Sequence, residues 1–342
     1  MAYSSWRALA LLSAIVGSIG AASPSLAQEE FYKGRTINLY IGFAPGGSYD
    51  LYARTLARHM GKHIPGSPTI VAQTTQGAGS FRAANHLFAV APKDGSAMGM
   101  VSQAIALEEM LGTSGIMFKS SQFTWIGRST NITELMMTWR TSKTQTYKDA
   151  LTRETPIAST GPGSPSEGWP RLLNGLAGTK FKIIGGYQAS ANALLAMERG
   201  EVDASFTSWD TLNGSKPEWL KNKSVNILVQ FNRKRLAELP DTPSVVELAT
   251  RDEDRRILDF YVTGAEVGRS FIAPPGLPPE RTQILRAAFM KMSTEDADYK
   301  TELARAKAPV NAMPGDELQA MITAIMQTPP ALVERMRKIL SE

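Results

Sequence analysis

The strongest constraint on the fold is a change of hydrophobic spacing on either side of Pro45. From Ile37 to Phe43 apolar residues alternate with polar or small ones, which predicts a β-strand. From Tyr52 onward the apolar residues recur at helical spacing. Only the turn Pro45-Gly46-Gly47-Ser48 and a few residues after it separate the two patterns. The stretch therefore predicts a strand, a tight turn and a helix, the unit from which α/β proteins are built.

The glycine turn also predicts an anion site. Gly46 and Gly47 let the backbone turn sharply, and Ser48 or Asp50 is expected to cap the first turn of the helix. The amide hydrogens of that turn have no partner inside the helix. Together with the positive end of the helix dipole they favour a carboxylate or phosphate by roughly 0.3–2 kcal/mol beyond the hydrogen bonds. The alternative is an ordinary turn without a ligand.

The same unit of strand, polar glycine turn and helix repeats along the chain. The second copy has a strand over 68–73, a turn over 74–79 and Ser80 as the expected N-cap of the next helix. Further strands over 156–160 and 180–184 run into the turns 161–166 and 185–190. In a parallel sheet such turns follow the carboxyl ends of the strands, where open α/β sheets bind ligands. The long apolar stretch 123–139 is expected to cross from one domain to another.

Residues 1–27 resemble a secretory signal peptide. Arg7 supplies the positive charge, Ala8–Ile19 the apolar segment, and Ser25-Leu26-Ala27 a small-residue cleavage site. The apolar segment is shorter than the roughly 20 residues of a membrane span. The chain contains no cysteine, so neither a disulfide nor a lipid-anchor cysteine is available. We expect an exported protein that is cleaved after Ala27.

The composition predicts a globular protein with little net charge. Removing 27 of the 342 residues leaves 315, enough for two domains of ordinary size. The 37 lysines and arginines exceed the 32 aspartates and glutamates only slightly, and they are spread along the chain. A nucleic-acid site would instead show clustered basic residues. We therefore expect no nucleic-acid partner.

The sequence lacks the parts of the common catalytic sites. There is no cysteine nucleophile and no Gly-x-Ser-x-Gly motif for a hydrolase, and no glycine-rich nucleotide motif. His59 and His63 have the spacing of a metal pair, but Gly61 interrupts the helix, so a solvated helix end is expected there. His86 is expected to pack or to lie on the surface. No catalytic residue, metal or cofactor is predicted.

Two other patterns are expected to be structural. The charged run 251–256 predicts a solvated helix face. The tryptophans expected in the core are Trp125, Trp139, Trp169 and Trp219. Trp209 is the exception, because it follows a predicted strand and stands beside hydroxyl residues.

A series of short motifs resembles one family in order. The first comprises Phe43, Gly46-Gly47, Asp50 and Ala53-Arg54. The others are Gly77-Ala78-Gly79, Pro92-x-Asp94-Gly95, Trp125-Ile-Gly127, Gly161-x-Gly-Ser-Pro-Ser166, Gly200-x-Val-Asp203, Leu239-Pro-Asp-Thr-Pro243 and Ala273-Pro-x-Gly-x-Pro278. Together they resemble the periplasmic solute-binding receptors of the tripartite tricarboxylate transporters, called Bug proteins, over nearly all of the mature chain. Departures at Thr74, Gln76, Ser80 and 186–189 lie in ligand-facing loops, so the ligand stays open.

The resemblance implies a two-domain α/β periplasmic binding protein of the Venus-flytrap, type II-like class. Two crossing strands would form the hinge, near Arg128–Asn131 and Gln230–Asn232. Domain 1 would contain residues 28–130 and 231–342, and domain 2 residues 131–230. The two domains would close on a small carboxylate.

The resemblance also implies the residues of the binding site. One carboxylate would be held in domain 1 by Phe43, Gly46, Gly47, Ser48, Asp50, Gly77 and Ala78. The distal part of the ligand would face loops of domain 2, at Thr160, Ser164, Ser166, Tyr187, Trp209 and Asp210. An anion held by amides and hydroxyls needs no arginine, but it needs several donors to offset its lost hydration. Asp50 would repel a carboxylate, so we expect it to cap the helix or to hold a bridging water.

The function implied is that of a monomeric periplasmic receptor that delivers a small organic anion to the permease subunits of a secondary transporter. One alternative is a sensor that presents the bound ligand to a histidine kinase. A secreted enzyme of unknown chemistry is the third reading.

Overall fold

Two mixed β-sheets with helices on their faces make up the protein. The structure is a computed structural model that describes residues 31–161, 164–187 and 189–341, so the predicted signal peptide lies outside it. The first sheet contains β1 (Thr36–Ile41), β2 (Thr69–Thr74), β3 (Ala97–Met100), β4 (Thr124–Arg128), β10 (Ser270–Ala273) and β11 (Met313–Pro314), in the order β11-β4-β10-β3-β1-β2. The second contains β5 (Glu134–Trp139), β6 (Thr155–Ala158), β7 (Phe181–Ile184), β8 (Ala204–Ser208) and β9 (Val225–Phe231), in the order β7-β6-β8-β5-β9.

The helices fall into three groups along the chain. Those between the strands of the first sheet are α1 (Ser48–His59), α2 (Phe81–Ala89) and α3 (Ile105–Leu111). Those around the second sheet are α4 (Tyr147–Thr152), α5 (Pro165–Ala177), α6 (Ser190–Arg199), α7 (Trp209–Ser215) and α8 (Pro217–Lys221). The last group is α9 (Asp252–Val267), α10 (Pro279–Glu295), α11 (Ala297–Arg305), α12 (Gly315–Met326) and α13 (Pro330–Ser341). No helix in the described ranges is both long and apolar enough to cross a membrane.

The strand directions bring the predicted loops to one edge of each sheet. In the first sheet β1 is parallel to both β2 and β3. In the second sheet β6 is parallel to both β7 and β8. The turns after these six strands therefore lie at the carboxyl edges of their sheets. This is the edge at which open α/β sheets bind ligands.

The chain passes between the sheets at these same edges. Residues 129–133 connect β4 to β5, and Gly268 and Arg269 connect α9 to β10. The two connections pair: the Ser129 amide donates to the Arg269 carbonyl and the Arg269 amide donates to the Thr130 carbonyl, both at 2.9 Å. A Cβ on Gly268 would lie 2.1 Å from the Thr130 carbonyl oxygen, and its φ is +60°, so glycine is needed there. The predicted hinge at Gln230–Asn232 is not part of this pairing.

The apolar core runs across both sheets. One cluster joins helices on the first sheet, such as α2, to Trp169 of α5 and Phe231 of β9. A second cluster fills the opposite face of the first sheet, around Leu39 and Phe289. Helix α13 packs on α5 so closely that a Cβ on Gly175 would lie 2.6 Å from Ile339 Cγ2. Burial of this kind stabilises by about 25 cal/mol per Å² of apolar surface.

Most sequence-predicted elements form where expected. The α/β class is confirmed, and the strands predicted over 68–73 and 180–184 form as β2 and β7 within one residue of those bounds. Trp125, Trp169 and Trp219 are buried, whereas Trp139 is half-buried against the second sheet's core.

The charged run 251–256 forms the predicted solvated helix face, except at Asp254. Asp254 is only 1% exposed. Arg251 pairs with it through Nε at 2.7 Å, and Arg335 of α13 contacts the same carboxylate. These hydrogen bonds, led by that of Arg251, hold the pKa of Asp254 below its usual value. The buried charge is thus compensated and ties α9 to α13.

The helix end at His59 and His63 is also not the solvated site that was expected. His59 Nε2 pairs with Glu302 at 2.8 Å, and His63 Nε2 pairs with Asp296 at 2.8 Å. Both imidazoles are largely buried between α1 and α11. These two contacts join α1 and the turn after it to α11 and to its N-cap residue.

Candidate functional site

The Gly46-Gly47 turn starts helix α1 as predicted, but its capping differs. Gly47 is the N-cap residue, and no side chain among the described residues caps the helix. Asp50 instead accepts a hydrogen bond from the Gly46 amide at 3.1 Å and pairs with Arg54 Nε at 2.6 Å. Both carboxylate oxygens of Asp50 thus already accept a hydrogen bond. The amides of the first turn of α1 remain available to another acceptor.

The second glycine turn has an unusual backbone. Gly77, Ala78, Gly79 and Ser80 all have positive φ, at 138°, 46°, 59° and 77°. For non-glycine residues such angles cost about 1–3 kcal/mol, and they concentrate at functional sites. Ser80 occupies the N-cap position of α2, but its Oγ accepts from the Ser102 amide at 2.7 Å instead of capping the helix.

An aromatic and cationic stack stands beside the first turn. The rings of Phe43 and Tyr49 are stacked with centroids 4.0 Å apart. The guanidinium carbon of Arg269 lies 4.0 Å from the centroid of the Tyr49 ring, which is within the range of a cation–π contact. Arg269 Nη2 donates to Ser48 Oγ at 2.6 Å. An arginine therefore reaches the predicted anion site, which the sequence analysis did not expect.

A buried carboxyl group belongs to the same region. Glu134, at the start of β5, is 8% exposed and accepts from Trp169 Nε1 at 3.2 Å. Burial raises the pKa of Glu134 to about 7, although Arg269 and hydrogen bonds from Trp169 and Gln103 act in the opposite direction. At neutral pH this carboxyl group exchanges between its neutral and charged forms.

The hydroxyl residues of the second sheet form a cluster of their own. Ser166 Oγ lies 3.0 Å from the Thr160 amide, which donates to it, and 2.8 Å from Ser164 Oγ. Ser164 is the N-cap residue of α5. Tyr187 follows β7 and packs partly on the second sheet's core. Its neighbour Gln188 and the residues 162–163 of the glycine turn lie outside the described residues.

Trp209 and Asp210 begin helix α7 next to the crossing segment. The Trp209 amide donates to the Thr133 carbonyl at 2.8 Å. Both residues line a groove of about 1030 Å³ between the two sheets, whose far wall is the segment 308–312. The other predicted site residues that the structure describes do not line this groove.

The structure thus gives three groups of predicted residues. Phe43 to Asp50 form the turn after β1 and the start of α1, and Gly77 and Ala78 lie in the loop after β2. Thr160, Ser164 and Ser166 are joined by hydrogen bonds in the second sheet. Trp209 and Asp210 line the groove. Tyr187 belongs to none of the three groups.

The sequence analysis missed four polar and charged residues of this region. They are Tyr49, Gln103, Glu134 and Arg269. The Tyr49 hydroxyl accepts from the Gln103 amide at 3.2 Å. No local motif marks Arg269. Arg269 reaches this region because β10, which it precedes, runs antiparallel beside β3.

Comparison with known proteins decides the family. The family model described as "Tripartite tricarboxylate transporter family receptor" matches residues 52–337. The chain belongs to this receptor family. The resemblance drawn from the motifs is thereby confirmed. The match begins after the Gly46-Gly47 turn, so it does not test that turn.

Relatives of this receptor are distant in sequence. A Cupriavidus necator protein described as "UPF0065 protein in gbd 5'region" is 24% identical over 340 residues, which are 95% of each chain. The periplasmic binding protein BugD is 20% identical with a TM-score of 0.69, covering 90% of this chain and 98% of its own. MatC from Rhodopseudomonas palustris, solved with bound malate, is 20% identical with a TM-score of 0.67, covering 90% and 99%. These structures share the receptor's fold.

Proposed function

We propose that this receptor binds a small organic carboxylate in the periplasm and delivers it to the permease subunits of a tripartite transporter. The observation that carries the proposal is the anion-ready turn at Gly47. Helix α1 starts there without a side-chain cap, and Arg269 donates to the first residue of the helix, Ser48. Helix amides and a guanidinium group both favour a carboxylate.

Titles of two structural relatives agree with this class of ligand. MatC holds malate, and the R. palustris protein Rpa4515, with a TM-score of 0.69 and 19% identity, holds adipate. Both are dicarboxylates. For this chain we infer a carboxylate without fixing its length.

The proposed contacts are divided between the two sheets. Phe43, the turn 46–48 and the loop at Gly77 and Ala78 would surround the near carboxylate. Asp50 would support the turn from behind, because its oxygens already bind the Gly46 amide and Arg54. The distal contacts would come from the domain 2 loops, at Thr160, Ser164, Ser166, Tyr187, Trp209 and Asp210.

The remaining parts of the proposal concern state and location. Two domains, 28–130 with 231–342 and 131–230, would act as a monomer without a nucleic-acid partner, cofactor, metal or catalytic step. Cleavage after Ala27 would release the mature receptor into the periplasm.

Native mass spectrometry of protein purified from its own periplasm tests the function. A co-purified carboxylic acid, together with an intact mass that begins at Gln28, is the expected result. Calorimetry then compares succinate, malate and adipate with succinamide and adipamide, which keep the carbon skeleton but lack the charge. Binding of amides as tight as that of acids would contradict a carboxylate receptor, and conversion of a bound acid would contradict a purely binding role.

A further inference from the structure

Within the ranges that the structure describes, Arg269 is a buried cation without a carboxylate partner. The residue as a whole is only 5% exposed to solvent. Its Nε atom has no hydrogen-bond partner among the described residues, a property that it shares with the Nε atom of Arg128. Across the same part of the chain no carboxylate oxygen lies within 4.0 Å of the Arg269 nitrogens, although Glu134 acts on this region electrostatically. A buried charge without an ion pair is costly, so its retention calls for an explanation.

A second buried arginine shows what a structural role looks like. Arg128, at the end of β4, is 6% exposed. Its Nη1 donates to the Glu266 carbonyl at 2.6 Å and its Nη2 to the Asn311 carbonyl at 3.3 Å. These bonds join three segments of backbone. Arg269 makes no comparable bond from its side chain to backbone in the described ranges, so it does not hold the fold in this way.

The surroundings of Arg269 point toward an anion. Its guanidinium is fixed on one side by the Tyr49 ring and by Ser48 Oγ. Ser48 is the first residue of α1, so the guanidinium stands beside the uncapped helix start. A carboxylate that paired with the guanidinium beside Ser48 would therefore also meet the positive end of the helix dipole. Two independent features of the structure favour negative charge at one place.

We propose that Arg269 forms the ion pair with the ligand's carboxylate, with Ser48 orienting its guanidinium. The inference rests on the proposed function and deepens it. Recognition would then use a planar, permanently charged group in addition to backbone amides. Such a group selects carboxylates and other forked oxyanions over neutral hydrogen-bonding ligands.

A binding experiment tests the role of the charge. Malate and adipate are titrated into wild type, Arg269→Gln and Arg269→Lys, with Lys182→Gln as the control. Lys182 lies on β7 with an exposed ammonium group, so its variant removes one positive charge elsewhere. Loss of charge-assisted hydrogen bonds predicts roughly a 10- to 100-fold weaker affinity for Arg269→Gln. Arg269→Lys should bind with intermediate affinity, because it keeps the charge but not the fork. Wild-type affinity in Arg269→Gln would overturn the proposal.

A second experiment needs no ligand. Thermal unfolding of dialysed Arg269→Met and Arg128→Met is compared with wild type, after native mass spectrometry has shown each sample to be ligand-free. Arg269→Met should unfold within about 2 °C of wild type or higher, whereas Arg128→Met should unfold at least about 4 °C lower, since it leaves two buried carbonyls unpaired. An equal fall for both variants would assign Arg269 to the fold and overturn the proposal.

The two experiments separate the inference from the proposed function. If wild type binds neither acid nor any carboxylate of the panel, the proposed function fails. The unfolding comparison then still decides whether Arg269 is retained for stability. If wild type binds an acid and Arg269→Gln binds it equally well, the inference alone fails.

Discussion

A Cβ atom on Gly42 would lie 2.4 Å from the Cβ of Ser80. The end of β1 and the left-handed turn before α2 therefore touch through backbone atoms, and the two glycine loops of the first sheet are held against each other. The Ser102 amide fixes Ser80 from the other side. The close approach sets the position of both loops at once.

Gly42→Ala should therefore destabilise the protein. The methyl group has to displace Ser80, and overpacking of this kind costs about 1–3 kcal/mol of unfolding free energy. Gly47→Ala is the matched control, since a Cβ on Gly47 would meet no atom within 4 Å and its φ is −90°. Urea unfolding should show a change within about 0.5 kcal/mol for the control. Equal stability of the two variants would contradict the packing argument.

Gly47→Val should weaken carboxylate binding without unfolding the protein. Valine at the N-cap of α1 adds bulk where a carboxylate would meet the first-turn amides. Each displaced hydrogen bond to a charged group is worth about 1.5–3 kcal/mol, so the loss should be several kcal/mol. His86→Ala serves as the control, because its imidazole packs on the Tyr40 ring, with centroids 4.6 Å apart, and belongs to none of the groups of predicted site residues. Calorimetry with adipate measures both, and a folded Gly47→Val with wild-type affinity would disprove the anion site.

The pKa of Glu134, which burial raises to about 7, predicts that binding is linked to a proton. A carboxylate at Arg269 adds negative charge near Glu134 and raises its pKa further. The complex then holds more protons than the free receptor at alkaline pH. Affinity should therefore fall as pH rises above about 7, by no more than roughly tenfold per pH unit.

Calorimetry with adipate between pH 6 and pH 9 measures this linkage. Besides Arg269, the charged or titratable groups that act on Glu134 are Tyr49 of α1, Asp210 of α7 and Tyr261 of α9. Glu134→Gln should abolish the slope, because it keeps the acceptor for Trp169 but cannot ionise. A slope that survives this substitution would assign the proton to another group.

Asp296 and Glu302 predict a loss of stability in acid. Burial opposes ionisation of Asp296, but hydrogen bonds from Lys62 and His63 outweigh it and lower its pKa. A hydrogen bond from Arg58 is the largest cause that lowers the pKa of Glu302 to about 2. Both folded-state values lie below those of the unfolded chain, about 4. The stabilisation is therefore present above pH 4 and is lost as pH falls toward 2.

Asp296→Asn isolates this contribution. The amide oxygen can still accept from the amides of Asp298 and Tyr299 at the start of α11, so the helix cap is retained. Removing the charge should lower the unfolding free energy by about 1–3 kcal/mol at pH 7 and by less at pH 2, where the carboxyl group is protonated in the unfolded chain. Urea titrations at both values check this, and an equal loss at both would exclude the ionic explanation.

Closure on a ligand should bend the paired crossing segments. Residues 129–133 and the Gly268-Arg269 connection are the links between β4 and β5 and between α9 and β10. Hinge motions concentrate in a few such residues. Small-angle scattering should show a smaller radius of gyration with adipate than without it. An unchanged radius with a bound acid would remove the flytrap from the proposed mechanism.

Much of the fold could be predicted because its signals are local. Strand β7, predicted over 180–184, and the glycine turns after β1 and β2 carry their pattern within a few residues. Helix α11 was not predicted, because only Tyr299 and Leu303 of its nine residues are buried and the rest is polar. A helix with so narrow an apolar face shows little periodicity.

The charged part of the candidate site could not be predicted, because the contacts that form it join residues far apart in the sequence. Arg269 and Ser48 are 221 residues apart in the chain. Their contact depends on β10 running antiparallel beside β3, which no short pattern specifies. Glu134 likewise looks like an exposed acid in an apolar stretch until its burial against Trp169 is known. The glycine turn indicated where an anion could bind, but its charged partner came from the topology.

Helix α13 also constrains when the protein can finish folding. Its Ile339 covers Gly175 of α5, and its Arg335 neutralises the buried Asp254. The outer layer of the second sheet thus depends on a helix made long after the strands that it covers. Until residues 330–341 pack in place, that layer is incomplete and its apolar surface is exposed to water. The last helix of the chain is therefore what closes this layer.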